Sequence, residues 1–382
     1  MERLNIRLTK GEHVKPYECH EIIGKVESCV VAEFSPCGEF LAVGCNNNAE
    51  VLIFSFMTHS IILRVKPEKA WGKVLSLKWG YDFIYVLTDA NLLFRFQLQC
   101  IEETPVQFSF KVGGMDVVDS KVLVYGKSDI VVYSWNDGTQ LSLKQDEIAS
   151  EWFGCFNQEK IIIFGSPNNV FYVLTLDGHL IYTQEVASIF QSAVRDFRSN
   201  RCNMILINSK DRALRVFEVK YPYKFELVKE IGDYIERKRW SACCFFKIQN
   251  MDTCFVLGTL QETGSHTIKM FDTVDSDTRV SMAKNMHSPL GAAAYLCTSI
   301  NTHVHPLICV VTQPGAVLLW SSGTFIKTEK WSTSLGIPNF VELQHGNEYY
   351  EEPEDQFDKY RSSQAQLNLA SQLNIQPFRL DF

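Results

Sequence analysis

The chain has 382 residues, 46% of them hydrophobic and 21% charged, with a formal net charge of −7. That is enough apolar material for a large buried core, while no apolar run approaches the ~18–20 residues that span a bilayer. Its twelve cysteines are irregularly spaced, several of them inside apolar strands, which is not the framework of a disulfide-stapled secreted chain.

In chain order, Val14–Val26 is a candidate strand. Val30–Ser35 then reads as a strand, Pro36-Cys37-Gly38-Glu39 as its turn and Phe40–Gly44 as a second strand. Asn46-Asn47-Asn48 makes the next turn, since Asn tolerates positive φ. Val51–Phe56 and Ser60–Val65 complete a four-strand unit. The third of these strands is an apolar run closed by an aromatic residue, and it returns six more times. The copies are Leu92–Phe94, Ile130–Tyr133, Val170–Tyr172, Leu214–Phe217, Ile268–Phe271 and Val317–Trp320. Their closing aromatics, from Phe54 to Trp320, are spaced 40, 39, 39, 45, 54 and 49 residues apart.

The same four-strand order can be traced through Lys73–Phe108, Val112–Leu143, Trp152–Val186, Ala193–Ile231, Ser241–Ala283 and Ala292–Lys330. Breaks fall at Asp89-Ala90-Asn91, Asn136-Asp137-Gly138, Pro167-Asn168-Asn169 and Gln313-Pro314-Gly315. A period of about 40 residues with four short strands per unit predicts an all-β chain, a seven-bladed β-propeller. Each unit buries its faces only by stacking on its neighbours, so the ring must close. Two segments compete to complete the last blade, Val14–Val26 and Phe325–Lys330. The propeller is expected over residues 1–331, followed by a mostly irregular tail over 332–382.

No sequence pattern assigns catalysis. There is no Gly-rich phosphate loop, Gly-x-Ser-x-Gly elbow or His-Glu-x-x-His helix. His303 and His305 share a strand face, but no Cys or carboxylate cluster completes a metal shell. Cys243 and Cys244 are adjacent, so on a strand they point to opposite faces and pack into the core. The expectation is a non-enzyme with no cofactor-binding residues and no metal. A propeller enzyme would need convergent carboxylates or a metal set from several blades. Met1-Glu2-Arg3-Leu4 does not begin an apolar leader, and there is no Asn-x-Ser/Thr sequon. A reducing compartment, cytosol or nucleus, is expected.

Charge is unevenly placed. Residues 342–358 hold Glu342, Glu348, Glu351, Glu352, Glu354, Asp355 and Asp358 and no Lys or Arg. Outside that stretch the charges balance, so no global basic field draws the chain to nucleic acid. Ser192–Trp240 is locally basic, ending in Arg237-Lys238-Arg239. It reads either as a solvated blade edge or as a patch for phosphate backbone. The acidic stretch contains Tyr349, Tyr350 and Phe357, apolar anchors of the kind a docking peptide uses beside its carboxylates.

The chain resembles the WD-repeat subunit of COMPASS/MLL-type histone H3 lysine-4 methyltransferase complexes, the retinoblastoma-binding protein five family. The likeness rests on Leu41-Ala42-Val43-Gly44-Cys45-Asn46 and Phe56-Met57-Thr58, on Asn208–Phe217, and on Trp240–Phe245. Its most specific part follows the repeats: Trp331-Ser332, Pro338, Phe340, Glu342-Leu343, Asn347-Glu348-Tyr349, Glu351-Glu352 and Phe357-Asp358.

The resemblance implies a WD40 β-propeller that serves as a nuclear, non-catalytic scaffold. It implies that Trp331, Pro338, Phe340, Glu342 and Leu343 lie along a SET-domain methyltransferase. Glu348, Tyr349, Glu351, Glu352, Phe357 and Asp358 would dock an Ash2-like SPRY subunit. Arg212, Arg215, Arg237, Lys238 and Arg239 would meet a nucleosome. Leu373, Asn374 and Ile375 are the counterpart of a motif that binds a second WD40 propeller subunit. The alternative reading is a generic WD40 adaptor in ubiquitin ligation or trafficking.

Overall fold

A computed structural model of the chain describes residues 17–67, 71–98, 104–144, 149–190, 192–232, 239–247, 254–261, 264–273, 286–288, 291–298 and 307–322. The first strand among the described residues is β1 (Tyr17–Ile23). Blade 1 is β2 (Cys29–Phe34), β3 (Phe40–Cys45), β4 (Val51–Ser55) and β5 (Ser60–Val65). Blade 2 is β6 (Val74–Trp79), β7 (Ile84–Thr88), β8 (Leu92–Phe96) and β9 (Val106–Gln107). Blade 3 is β10 (Val112–Val118), β11 (Lys121–Gly126), β12 (Ile130–Ser134) and β13 (Gln140–Ser142). Blade 4 is β14 (Glu151–Asn157), β15 (Lys160–Ser166), β16 (Val170–Thr175) and β17 (Leu180–Glu185).

Blade 5 is β18 (Val194–Ser199), β19 (Met204–Ser209), β20 (Ala213–Lys220) and β21 (Lys224–Gly232). Blade 6 is β22 (Trp240–Lys247), β23 (Cys254–Gln261), β24 (His266–Asp272) and β25 (Met286–Ser288). Blade 7 takes β26 (Ala293–Thr298), β27 (Ile308–Thr312) and β28 (Val317–Ser322) from one end of the chain and β1 from the other. Every sheet is four-stranded and antiparallel, and the seventh has the order β1-β28-β27-β26.

All seven of the repeated aromatic-closed strands are third strands of a blade. The competition to close the ring is settled by β1, with Tyr17 opposite Ser322 and His20 opposite Leu319. Ile22 and Ile23 are buried in the cluster shared by blades 7 and 1. The rival Phe325–Lys330 lies outside the described residues. Blade 6 differs from expectation at its rim. Its outer strand is Met286–Ser288, beyond the expected limit at Ala283.

The core is divided among the blade interfaces. Seven apolar clusters each join one blade to the next, around to the cluster joining blade 7 to blade 1. Inner strands contact one another in the cycle β2, β6, β10, β14, β18, β22, β26 and back to β2. Stacking thus buries the apolar surfaces that neighbouring blades turn to one another. Cys243 enters the cluster facing blade 5 and Cys244 the cluster facing blade 7, as alternation requires. Burial pushes both thiols well above the ordinary value, so neither is a reactive thiolate.

At the seam, the Cys29 N–H donates to the Gly315 carbonyl at 3.0 Å. Gly315 has φ +93°, and a Cβ there would sit 2.6 Å from the Ser28 Cα, so only glycine fits.

Candidate basic interaction face

One end of the blades is built by a recurrent bond. The turn between second and third strands donates a backbone N–H to the segment entering the inner strand. The pairs are Asn46 to Ser28 (2.9 Å), Asp89 to Lys73 (3.0 Å), Lys127 to Lys111 (2.9 Å), Lys210 to Ala193 (2.9 Å) and Gln313 to Ala292 (2.7 Å). These turns and entry segments therefore share one face of the ring.

In blade 5 the turn is shaped by Asp211, whose Oδ1 accepts from the Ser209 hydroxyl and from the Ala213 N–H at 3.3 Å. Arg212 occupies the left-handed region at φ +72°. This geometry leaves Lys210 exposed and Arg212 half-buried at the turn. Six blades carry a bulge at the second residue of the inner strand, and in blade 5 that residue is Arg195. A bulge re-aims its side chain, and Arg195 is exposed. Arg239 is also exposed, on the segment entering blade 6.

With Lys111 and Lys127 of blade 3, this makes six cations at one end of blades 3 to 6. Among the described residues none of the six forms an ion pair. The carboxylates there are largely engaged. Asp129 accepts from the Ile130 N–H at 2.8 Å and from the Ser142 hydroxyl at 3.3 Å. Asp211 and Glu230 are held by Arg215 at 2.8 and 2.9 Å. Among the described residues, Glu151 and Glu185 are the carboxylates there without such a hold.

Arg215 corrects the sequence expectation. It is 3% exposed, and its Nη1 also donates to the Ser209 hydroxyl at 2.6 Å. Its guanidinium lies 5.0 Å from the Phe190 ring centroid. An arginine spent on internal partners cannot meet a nucleosome. Of the other nucleosome candidates, Arg212 and Arg239 belong to the face. Arg237 and Lys238 lie outside the described residues. So do His303, His305, Trp331, Pro338, Phe340, Glu342, Leu343, Glu348, Tyr349, Glu351, Glu352, Phe357, Asp358, Leu373, Asn374 and Ile375.

A second charged region was not found from sequence: the inner strands. Arg201 Nη2 donates to Asp116 Oδ1 at 3.1 Å, linking blade 5 to blade 3, and Asp116 Oδ2 accepts the Phe156 N–H of blade 4 at 2.9 Å. Arg198 donates to Asp196 at 3.1 Å and to the Tyr295 hydroxyl of blade 7 at 2.9 Å. Lys78 donates to Glu33 at 2.9 Å, linking blades 2 and 1. Burial opposes the Arg198 charge, but Asp196 and Tyr295 more than offset it and hold the guanidinium well above its ordinary value. Arg201 and Arg198 thus join non-adjacent blades, 5 to 3 and 5 to 7, while Lys78 ties neighbours.

Together the closed ring, the self-neutralised centre and the free cationic face define an interaction platform of the WD-repeat β-propeller class. No family model matches the chain. Retinoblastoma-binding-like protein E of Dictyostelium discoideum is 23% identical over 367 residues, covering 86% of this chain and 65% of that protein. The chain thus spans just under two thirds of that relative's length. The retinoblastoma-binding protein 5 homolog of Drosophila melanogaster is 24% identical, over 90% of this chain and 69% of that protein. The COMPASS component Swd1 of Saccharomyces cerevisiae is 21% identical, over 90% and 84% respectively. The β-propeller domain of Cps50 (Swd1) from Myceliophteria thermophila shares the fold, with TM-score 0.67, 14% identity, and coverage of 80% of this chain and 99% of that one. Along most of its length the chain is thus similar, at 21–24% identity, to proteins named for retinoblastoma-binding protein 5 and to a COMPASS component.

Proposed function

We propose that this chain is a non-catalytic scaffold and activator of a COMPASS-type assembly that methylates histone H3 at lysine 4 in the nucleus. The observation that carries the reading is the similarity to a COMPASS component across 90% of the chain. In this reading the propeller is a rigid platform. Trp331, Pro338, Phe340, Glu342 and Leu343 bind the SET domain of the catalytic subunit. Glu348, Tyr349, Glu351, Glu352, Phe357 and Asp358 dock an Ash2-like SPRY domain. Leu373, Asn374 and Ile375 contact a second propeller subunit.

The cationic face supplies a nucleosome contact through Arg212 and Arg239, joined by Arg237 and Lys238, which directly precede Arg239 in the sequence. Phosphate contacts of this kind add sequence-blind, salt-dependent affinity. Arg215 has no part in it, because its charge is met inside blade 5.

Activation follows from a population argument. A SET domain that samples several arrangements pays entropy to reach the competent one. A segment that binds only that arrangement removes part of the cost before substrate arrives. A bias of about 1.4 kcal/mol is tenfold in population. Replacing Phe340 and Leu343 with Ala should therefore lower methylation by the assembled complex about tenfold while the propeller melts unchanged. Full methylation at saturating variant subunit rejects the reading.

A further inference from the structure

We propose that the acidic stretch Glu342–Asp358 binds the cationic end of blades 3 to 6 in the same molecule and competes there with phosphate-bearing ligands. The inference rests on the reading of that face as a phosphate site and adds its regulation.

The two surfaces are complementary in charge. Lys111, Lys127, Arg195, Lys210, Arg212 and Arg239 lack ion-pair partners among the described residues. Residues 342–358 bring seven carboxylates and no Lys or Arg. The remainder of the chain is neutral in sum, so residues 342–358 account for the whole net charge of −7. Screening limits attraction to about 8 Å at physiological salt, so the acids must reach the face itself.

Reach permits this. β28 starts at the Gly315 turn, on the cationic side of the ring, and runs away from it. Ser322 therefore lies on the opposite side, and a segment reaching the face from it would have to round the rim. Nineteen residues separate Ser322 from Glu342, and they span up to about 65 Å. A folded unit of this size is about 50 Å across, and its longest strands are about 30 Å. Tethering holds such a segment at an effective concentration in the millimolar range. A contact of about 100 μM intrinsic affinity would then lower apparent phosphate binding about tenfold. Capture of the acidic stretch by a SPRY domain would free the face, coupling assembly to nucleosome engagement.

The test uses the full chain and a 20-base-pair DNA duplex, read by fluorescence anisotropy. Glu348→Gln, Glu351→Gln, Glu352→Gln and Glu354→Gln together should tighten binding about tenfold at low salt, with the gap closing as salt rises. A control removes the same charge from the other side of the ring. Glu39→Gln, Asp82→Asn, Glu159→Gln and Asp177→Asn alter exposed residues in turns at that end and should have little effect. Equal affinity of the acid-neutralised variant and the unaltered chain overturns the proposal, as does equal tightening by the control. If no form binds duplex, the phosphate reading fails separately. Zero-length carboxyl–amine cross-linking then decides. Links from Lys111, Lys127 or Lys210 to residues 342–358 support the contact, and their absence overturns it.

Discussion

Arg212 and Arg215 lie three positions apart in blade 5 and meet opposite fates. Arg215 is turned inward, its charge divided between Asp211 and Glu230. Arg212 sits half-buried on the turn with no ion-pair partner among the described residues. The same contrast holds on a larger scale. Arg198 and Arg201 on the inner side are tied to Asp196, Asp116 and Tyr295, whereas Arg195, on the same strand as Arg198, faces water. Residue type alone does not separate the two groups. Partnering does: the held arginines support the ring, and the unheld ones are available to something else.

Removing a held arginine should do the most damage. Arg215→Ala leaves the poorly exposed Asp211 carboxylate without its cation, which should cost about 3 kcal/mol or more of unfolding free energy. Chemical denaturation measures this, and an unchanged midpoint would erase the distinction. Asp116→Ala comes next. It orphans the buried Phe156 N–H and releases Arg201, for a loss of about 2 kcal/mol.

The outer group should behave differently. Lys210→Ala with Arg212→Gly removes two charges, and glycine accepts the φ of +72° without strain. Stability should stay within about 0.5 kcal/mol, while the slope of log affinity for duplex DNA against log salt falls by about 2.

The smallest effect belongs to the β20–β21 hairpin tip. Lys220, with Lys224, holds the Glu226 carboxyl down to about 2 from its ordinary 4.5. A lowered carboxyl stabilises above its ordinary value and loses that contribution as pH falls toward its folded one. Protection of the tip amides from exchange, taken relative to their intrinsic rates at each pH, should accordingly fall between pH 4.5 and about 2.

Much of the architecture was legible because it is written locally. Apolar alternation and a closing aromatic mark every third strand, and turn residues mark the breaks between strands. The twelve-residue stretch before Met286 has no such alternation, so the outer strand of blade 6 was placed too early. Ring closure was ambiguous because strand pairing across the length of the chain has no local signature. Either candidate segment could have filled the gap.

Arg215 was misread for a related reason. A cation in an apolar strand is ambiguous until its partners are known, although Ser209 and Asp211 just before it were a clue. The inner network was invisible, since Arg201 and Asp116 are 85 residues apart and Arg198 and Tyr295 are 97 apart. The segments proposed to bind partners are legible only as composition and resemblance.

The pairing of Tyr17 with Ser322 also sets an order of events on the ribosome. Blades 1 to 6 are contiguous hairpins that can form as each emerges, but the earliest strand waits for the latest before its sheet is whole. Long-range pairings of this kind slow folding and leave apolar surface transiently bare. The nascent chain is therefore most vulnerable to aggregation, and most in need of chaperones, just before its last strand is released.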